Sequence, residues 1–289
     1  MTIQPFDKHK INHISGVDHP ESIGLGPDGN FFTTGTGCQV YRVDVATNTA
    51  GQFATTAERC LGSVVDADGN LYAAHAGGGD VLRITMDGQV TTYATGPAGE
   101  KFLCPNYPAF DNGGHMYLSD SGTWERKVDG LIYRIPPGGG EAAVWYSEPV
   151  DTPNAIALDA DQTNLYFVET FGHAISRIAI NADGSAGLME RVVHMPRAIP
   201  DGIAFDVEGR LWIACHRPDA IYVFDLQTRR LELFCEDWEG ESLRGPTDVA
   251  FAGPQRDILF AASLDNLCLH RFDNVGVVGL RLNHPKIDS

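Results

Sequence analysis

At 289 residues, with 43% hydrophobic and 20% charged side chains, the chain carries ample material for a core. Its formal net charge of −17 and pI near 4.8 argue against nucleic acid or an anionic membrane surface as a partner, since both require basic patches. No run approaches the roughly 18 consecutive apolar residues of a membrane span. Met1-Thr2-Ile3-Gln4-Pro5-Phe6-Asp7 lacks the basic-then-apolar order of a secretory leader. The cysteines are scattered without a CxxC pair, so a reduced, cytoplasmic protein without metal-thiolate spacing is the expectation.

Taken in chain order, six segments share one phrase. The first runs from Pro20-Glu21 to Gly29 and Phe31-Phe32, and the second from Leu61 to Gly69-Asn70-Leu71-Tyr72. The third runs from Pro105-Asn106 to Gly114 and Met116-Tyr117, and the fourth from Pro153-Asn154 to Leu165-Tyr166. The fifth runs from Pro200-Asp201 to Gly209 and Leu211-Trp212, and the sixth from Pro246-Thr247 to Leu259-Phe260. A repeat of 40–48 residues belongs to propeller blades or helical arrays. Short β-rich pieces such as Ser63-Val64-Val65 and Val81-Leu82-Arg83-Ile84, punctuated by Asp-Gly and Gly-Gly turns, exclude the helical option.

Each repeat supplies four strands, so the predicted fold is all-β: one six-bladed β-propeller over residues 1–289, four antiparallel strands per blade, with a metal site in its central channel. The last repeat runs short of sequence after Leu280. The spare segment Ile11-Asn12-His13-Ile14 is expected to pair with the sixth blade and remove an exposed sheet edge.

One position within the phrase varies, reading Glu21, Leu61, Asn106, Asn154, Asp201 and Thr247. In a propeller the first strand of each blade lines the channel, which sets these side chains around one mouth. The antiparallel second strand returns to the same mouth. It brings Gly35, His75, Asp120, Glu169, Cys215 and Ser263, with His216 adjacent. An Asn or Asp after Pro often serves only a turn. Leu61 at the equivalent position shows that this turn does not demand one. Oxygen donors from Glu21, Asn154 and Asp201, with Asn106 beside them, suit a hard divalent cation: calcium first, then magnesium or manganese. A neighbouring carboxylate could deprotonate an attacking water. His75, Asp120, Glu169 and His216 are candidate substrate contacts. Trp124 and Phe171 offer a partly apolar wall at the mouth.

The phrases His19-Pro20-Glu21-Ser22, Pro153-Asn154-Ala155-Ile156-Ala157-Leu158 and Pro200-Asp201-Gly202-Ile203-Ala204-Phe205-Asp206 resemble the regucalcin/gluconolactonase family, also called the senescence marker protein family. The resemblance covers about Gly16 to Leu280. It implies one divalent ion (calcium, zinc, manganese or iron) held by Glu21, Asn154 and Asp201, with Asn106 binding through water or contacting substrate. It also implies hydrolysis of a small-molecule lactone, with Asp201 as general base. Gluconolactone-type members place an arginine two residues before the third-blade Asn, where this chain has Cys104. Pro20-Glu21-Ser22 also resembles the strictosidine-synthase-like branch. A phosphotriesterase-like propeller and a non-catalytic calcium-binding propeller are the other readings of the same fold.

Overall fold

The computed structural model describes residues 3–124 and 127–287. Each repeat forms an antiparallel sheet, and six sheets stand around a central channel as the blades of a β-propeller. The first strands, nearest the channel, are Gly24–Leu25, Ser63–Val65, Pro105–Phe110, Pro153–Leu158, Ile199–Phe205 and Pro246–Ala252. In the second blade the short strand Gly140–Glu141, from the third blade's outer hairpin, adds parallel to Val90–Thr95. Two three-residue 3-10 turns, Lys8–Lys10 and Pro97–Gly99, are the only helical elements among the described residues. None of these is long and apolar enough to cross a membrane.

The core is distributed between blades. Six apolar clusters fill the six blade–blade interfaces. Phe31, Val43 and Phe260 sit between the first and sixth, for example, and Trp212, Phe234 and Phe251 between the fifth and sixth. Alternation explains the pattern: strand residues i and i+2 face one side, so each sheet buries both faces against its neighbours. Turns on one face are fixed by an Asp at the strand end. Asp66 accepts from the backbone N–H of Asp68 and Asn70 and from the Tyr72 hydroxyl, and Asp206 does the same for Glu208, Arg210 and the Trp212 indole. Gly69 and Gly209 close those turns at φ +87° and +77°, where a side chain would be strained.

The ring is joined at the sixth blade, where Asn12–Ser15 from the N-terminal region pairs antiparallel with Cys268–Phe272, setting His13 opposite His270. At the other end of the chain, residues 278–285 strap across one mouth of the channel. Leu280 N–H bonds Phe205 O, the Asn283 amide donates to Phe110 O, His284 bonds Val65 O, and Pro285 O accepts from Ala67. This strap closes an apolar chamber of about 100 Å³ lined by residues such as Ile23, Tyr107, Ile203 and Val249.

Candidate functional site

At the open mouth the first strands of the third to sixth blades begin irregularly, and this irregularity builds much of the site. In the third blade Pro105 faces Asp120 and Tyr107 faces Ser119, leaving Asn106 as an extra residue. Equivalent slips follow Pro153, Pro200 and Pro246. Bulges of this kind re-aim side chains. Here they turn Asn106, Asn154, Asp201 and Thr247 out of the strand alternation, so that the following residue is also free to approach the channel.

Two of these side chains are oriented by the same relay. The Ser121 hydroxyl donates to Pro153 O, so it accepts from the Asn106 amide nitrogen, 2.9 Å away. The Thr170 hydroxyl donates to Pro200 O and accepts from the Asn154 nitrogen at 3.1 Å. A hydroxyl has one proton to give, and the carbonyls take it. Each amide therefore turns its nitrogen toward the wall and keeps its oxygen for the channel. Both residues are buried, at 4% and 6% exposure, so the orientation is held by packing as well.

The carboxylates crowd. Burial pushes the Asp201 carboxyl well above the usual range; the charges of Glu21 and Asp248 add to this, while a hydrogen bond from Asn154 and the charge of Arg59 oppose it. Burial likewise raises Glu21, against the Arg59 guanidinium, whose Nη2 lies 3.1 Å from Glu21 Oε2. Asp248 is pushed up to about 7, by burial first. Three acids with one arginine between them, beside two amide oxygens aimed at the axis, form an oxygen-only donor set short of positive charge. Such a set fits a hard divalent cation. Glu21 Oε2 is taken by Arg59, which leaves Oε1 for such an ion.

Three second-strand residues are engaged by neighbouring groups of the protein. His75 uses both ring nitrogens, Nδ1 on Asp80 at 2.6 Å and Nε2 on the Glu58 N–H at 3.2 Å. It thus anchors the loop that carries Arg59. Asp120 accepts from the backbone of Leu103, Cys104 and Gly122, fixing the loop before Asn106 without bonding its amide. Glu169 faces outward to Ser176 and Arg191 on the outer strands. His216 differs: its Nδ1 is buried without a hydrogen-bond partner among the described residues, and burial lowers its pKa. Trp124 and Phe171 pack on each other with ring centres 5.4 Å apart, and Trp124 is largely exposed.

Sequence reasoning missed Arg59, Tyr107 and Asp248. Arg59 stands two residues before Leu61, as Cys104 stands two before Asn106, so it occupies the neighbouring blade's version of that place. Tyr107 and Asp248 each follow the variable position by one. That register reads Ser22, Gly62, Tyr107, Ala155, Gly202, Asp248, and its two large members stand out among four small residues. The contrast was the available signal.

A six-bladed propeller closed at one mouth and lined with oxygen donors at the other defines a class of channel-site proteins. Residues 36–265 match the family described as SMP-30/Gluconolactonase/LRE-like region, and the chain belongs to that family. It is 28% identical over 170 residues to the pentonolactonase XacC of Haloferax volcanii, covering 58% of this chain and 50% of that protein. It is 27% identical over 215 residues to the strictosidine synthase-like 6 protein of Arabidopsis thaliana, covering 68% and 56%. The chain thus spans about half the length of these curated relatives. A solved structure of a calcium-binding protein, regucalcin, from Agrobacterium tumefaciens superposes with a TM-score of 0.79 over 100% of both chains at 16% identity, a likeness of fold.

Proposed function

We propose that this chain opens a small lactone by hydrolysis at the open mouth, with a divalent cation, calcium first, held by Glu21, Asn154 and Asp201. The observation carrying this reading is the convergence of oriented oxygen donors from four blades around crowded, charge-deficient carboxylates. Membership of the family and the named activity of the pentonolactonase relative support it.

A cation bound there would supply positive charge that polarises the lactone carbonyl. Asp201, whose burial favours holding a proton, takes one from the attacking water. The water oxygen bonds to the carbonyl carbon, the ring C–O bond breaks, and the proton passes to the departing alkoxide to give the hydroxy acid. Asn106 presents its amide oxygen to a cation-bridging water or a substrate hydroxyl. The Arg59 Nε is buried without a partner among the described residues. We assign Arg59 the anchoring of substrate oxygen that an arginine at the Cys104 position would otherwise perform.

Chelation followed by assay on a lactone panel tests the reading: hydrolysis is lost, and added calcium restores it. Asp201→Asn should lower turnover by about 10²–10⁴-fold, the range typical of removing a general base. Full-rate hydrolysis by the chelated protein would overturn the mechanism. The name of the Agrobacterium neighbour favours one second reading, a calcium-binding propeller without catalysis. Tight calcium binding with no turnover across lactones, esters and a phosphotriester would establish it.

A further inference from the structure

A second group of donors lies on the seam where the ring is joined. His13 on the N-terminal strand faces His270 directly, and Cys268 precedes His270 by two residues, which puts both on one side of their strand. The two histidine Nδ1 atoms are 3.2 Å apart, and Cys268 Sγ is 3.8 Å from His13 Nδ1. All three donor atoms lie within 4.8 Å of one another. A tetrahedral zinc site with Zn–N near 2.0–2.1 Å and Zn–S near 2.3 Å has N–N edges of about 3.3 Å and N–S edges of about 3.6 Å. The two edges at His13 already stand at nearly those separations.

We propose that His13, His270 and Cys268 bind one Zn²⁺, with water as the fourth ligand. Two imidazoles and a thiolate are borderline-to-soft donors and select zinc over calcium. Cys268 and His270 are buried, whereas His13 is exposed and gives the ion a way in. Burial disfavours charge on both rings, lowering His270 to about 4, so both have lone pairs to offer at neutral pH. His270 Nε2 accepts the Arg244 N–H at 3.4 Å, so without metal its proton sits on Nδ1 and is shared with His13. On binding, that proton moves to Nε2 and the long Arg244 bond is given up. The Cys268 thiol loses its proton to solvent, one proton per ion bound.

The seam and the channel are separate sites. In the sixth blade the sheet order runs from the N-terminal strand through Cys268–Phe272 and Ile258–Ser263 to the channel strand Pro246–Ala252, so the seam ligands lie on the outer two strands. The ligands come from opposite ends of the chain, which is why sequence spacing hides them. A bound ion would pin the closing strand to the last blade and stabilise the joined ring by mass action.

The test uses Co²⁺ as a spectroscopic stand-in on chelator-stripped full-length protein. The expected result is a thiolate-to-cobalt charge-transfer band with intense tetrahedral visible bands, displaced by Zn²⁺. These should disappear in Cys268→Ser and in His13→Ala, and persist in Asp201→Asn. In the Asp201→Asn background with excess Ca²⁺, Zn²⁺ should raise the Tm, and adding His13→Ala, whose exposed position leaves folding intact, should remove most of that rise. The proposal fails if the wild type shows only weak octahedral cobalt absorption. It also fails if the thiolate band survives in His13→Ala, which would trace it to another cysteine such as Cys104.

Discussion

The Tyr107 hydroxyl of the third blade donates to the Asp248 carboxylate of the sixth at 2.8 Å, so two opposite blades are tied through the channel itself. This bar forms the floor of the candidate site. On one side are Glu21, Asn154 and Asp201; on the other is the apolar chamber closed by the C-terminal strap. Asp248 Oδ2 also accepts from the Ile23 N–H, and Oδ1 from Val249, so the carboxylate knits the sixth blade to the first as well.

Removing the phenol hydroxyl therefore leaves a buried carboxylate one donor short. Tyr107→Phe should cost about 1–3 kcal/mol of stability, the usual penalty for stranding a buried polar group. Asp248→Asn alone should also destabilise, but the double variant should lose less than the sum, because the two residues share one interaction. Urea unfolding of the four proteins measures the coupling, and additivity would show that the bar carries no energy of its own.

Asp248 also sets a pH dependence in the chelated protein. Its carboxyl is pushed from 3.8 to about 7, chiefly by burial. The folded chain therefore keeps a proton that the unfolded chain has already released. The resulting stability is fully present below about pH 4 and is lost as pH rises through about 7. A shift of roughly three units corresponds to on the order of 4 kcal/mol. The metal-free protein should thus show a lower Tm at pH 8 than at pH 5, and Asp248→Asn should flatten that slope. A slope unchanged in the variant would assign it to other groups.

Two glycines make room for the bar. A Cβ on Gly62 would fall 2.4 Å from the Tyr107 ring, and one on Gly202 would fall 2.4 Å from the Asp248 Cα. Gly62→Ala and Gly202→Ala should each destabilise by about 1–3 kcal/mol, as overpacking does. They should also weaken calcium binding by displacing the floor beneath Asp201. Unfolding midpoints and calorimetric titration check both effects.

These glycines also mark how far the sequence could be read. The blade count and the strand order were legible because five of the six repeats carry Pro before one variable residue, and all six place an aromatic or aliphatic pair after the turn. The second ring is less legible. Register alone brings His75, Asp120 and Glu169 to the right end of their strands, but it cannot say whether a loop N–H or an outer-strand arginine will claim them. Tyr107 and Asp248 were hidden by strict alternation, which sends neighbours to opposite faces. The bulges after Pro105 and Pro246 suspend that rule, and they are visible only in the pairing. Arg59 sits on a loop, where no periodicity speaks.

Arg59 yields the prediction that most directly separates cation binding from substrate binding. Its guanidinium bonds Glu21 and lies near enough to Cys104 and Asp201 to influence both. As a fixed positive charge beside the proposed cation ligands, it repels a divalent ion. Arg59→Met should therefore tighten calcium binding several-fold, by calorimetric titration. If Arg59 anchors substrate oxygen, the same variant should raise KM by about tenfold at saturating calcium, equivalent to about 1.4 kcal/mol, with a smaller change in kcat. Adding Cys104→Arg supplies a guanidinium from the adjacent blade and should recover much of the KM. A purely structural ion pair would behave otherwise: Arg59→Met would then lower stability and calcium affinity together, KM would stay near the wild-type value, and Cys104→Arg would rescue nothing.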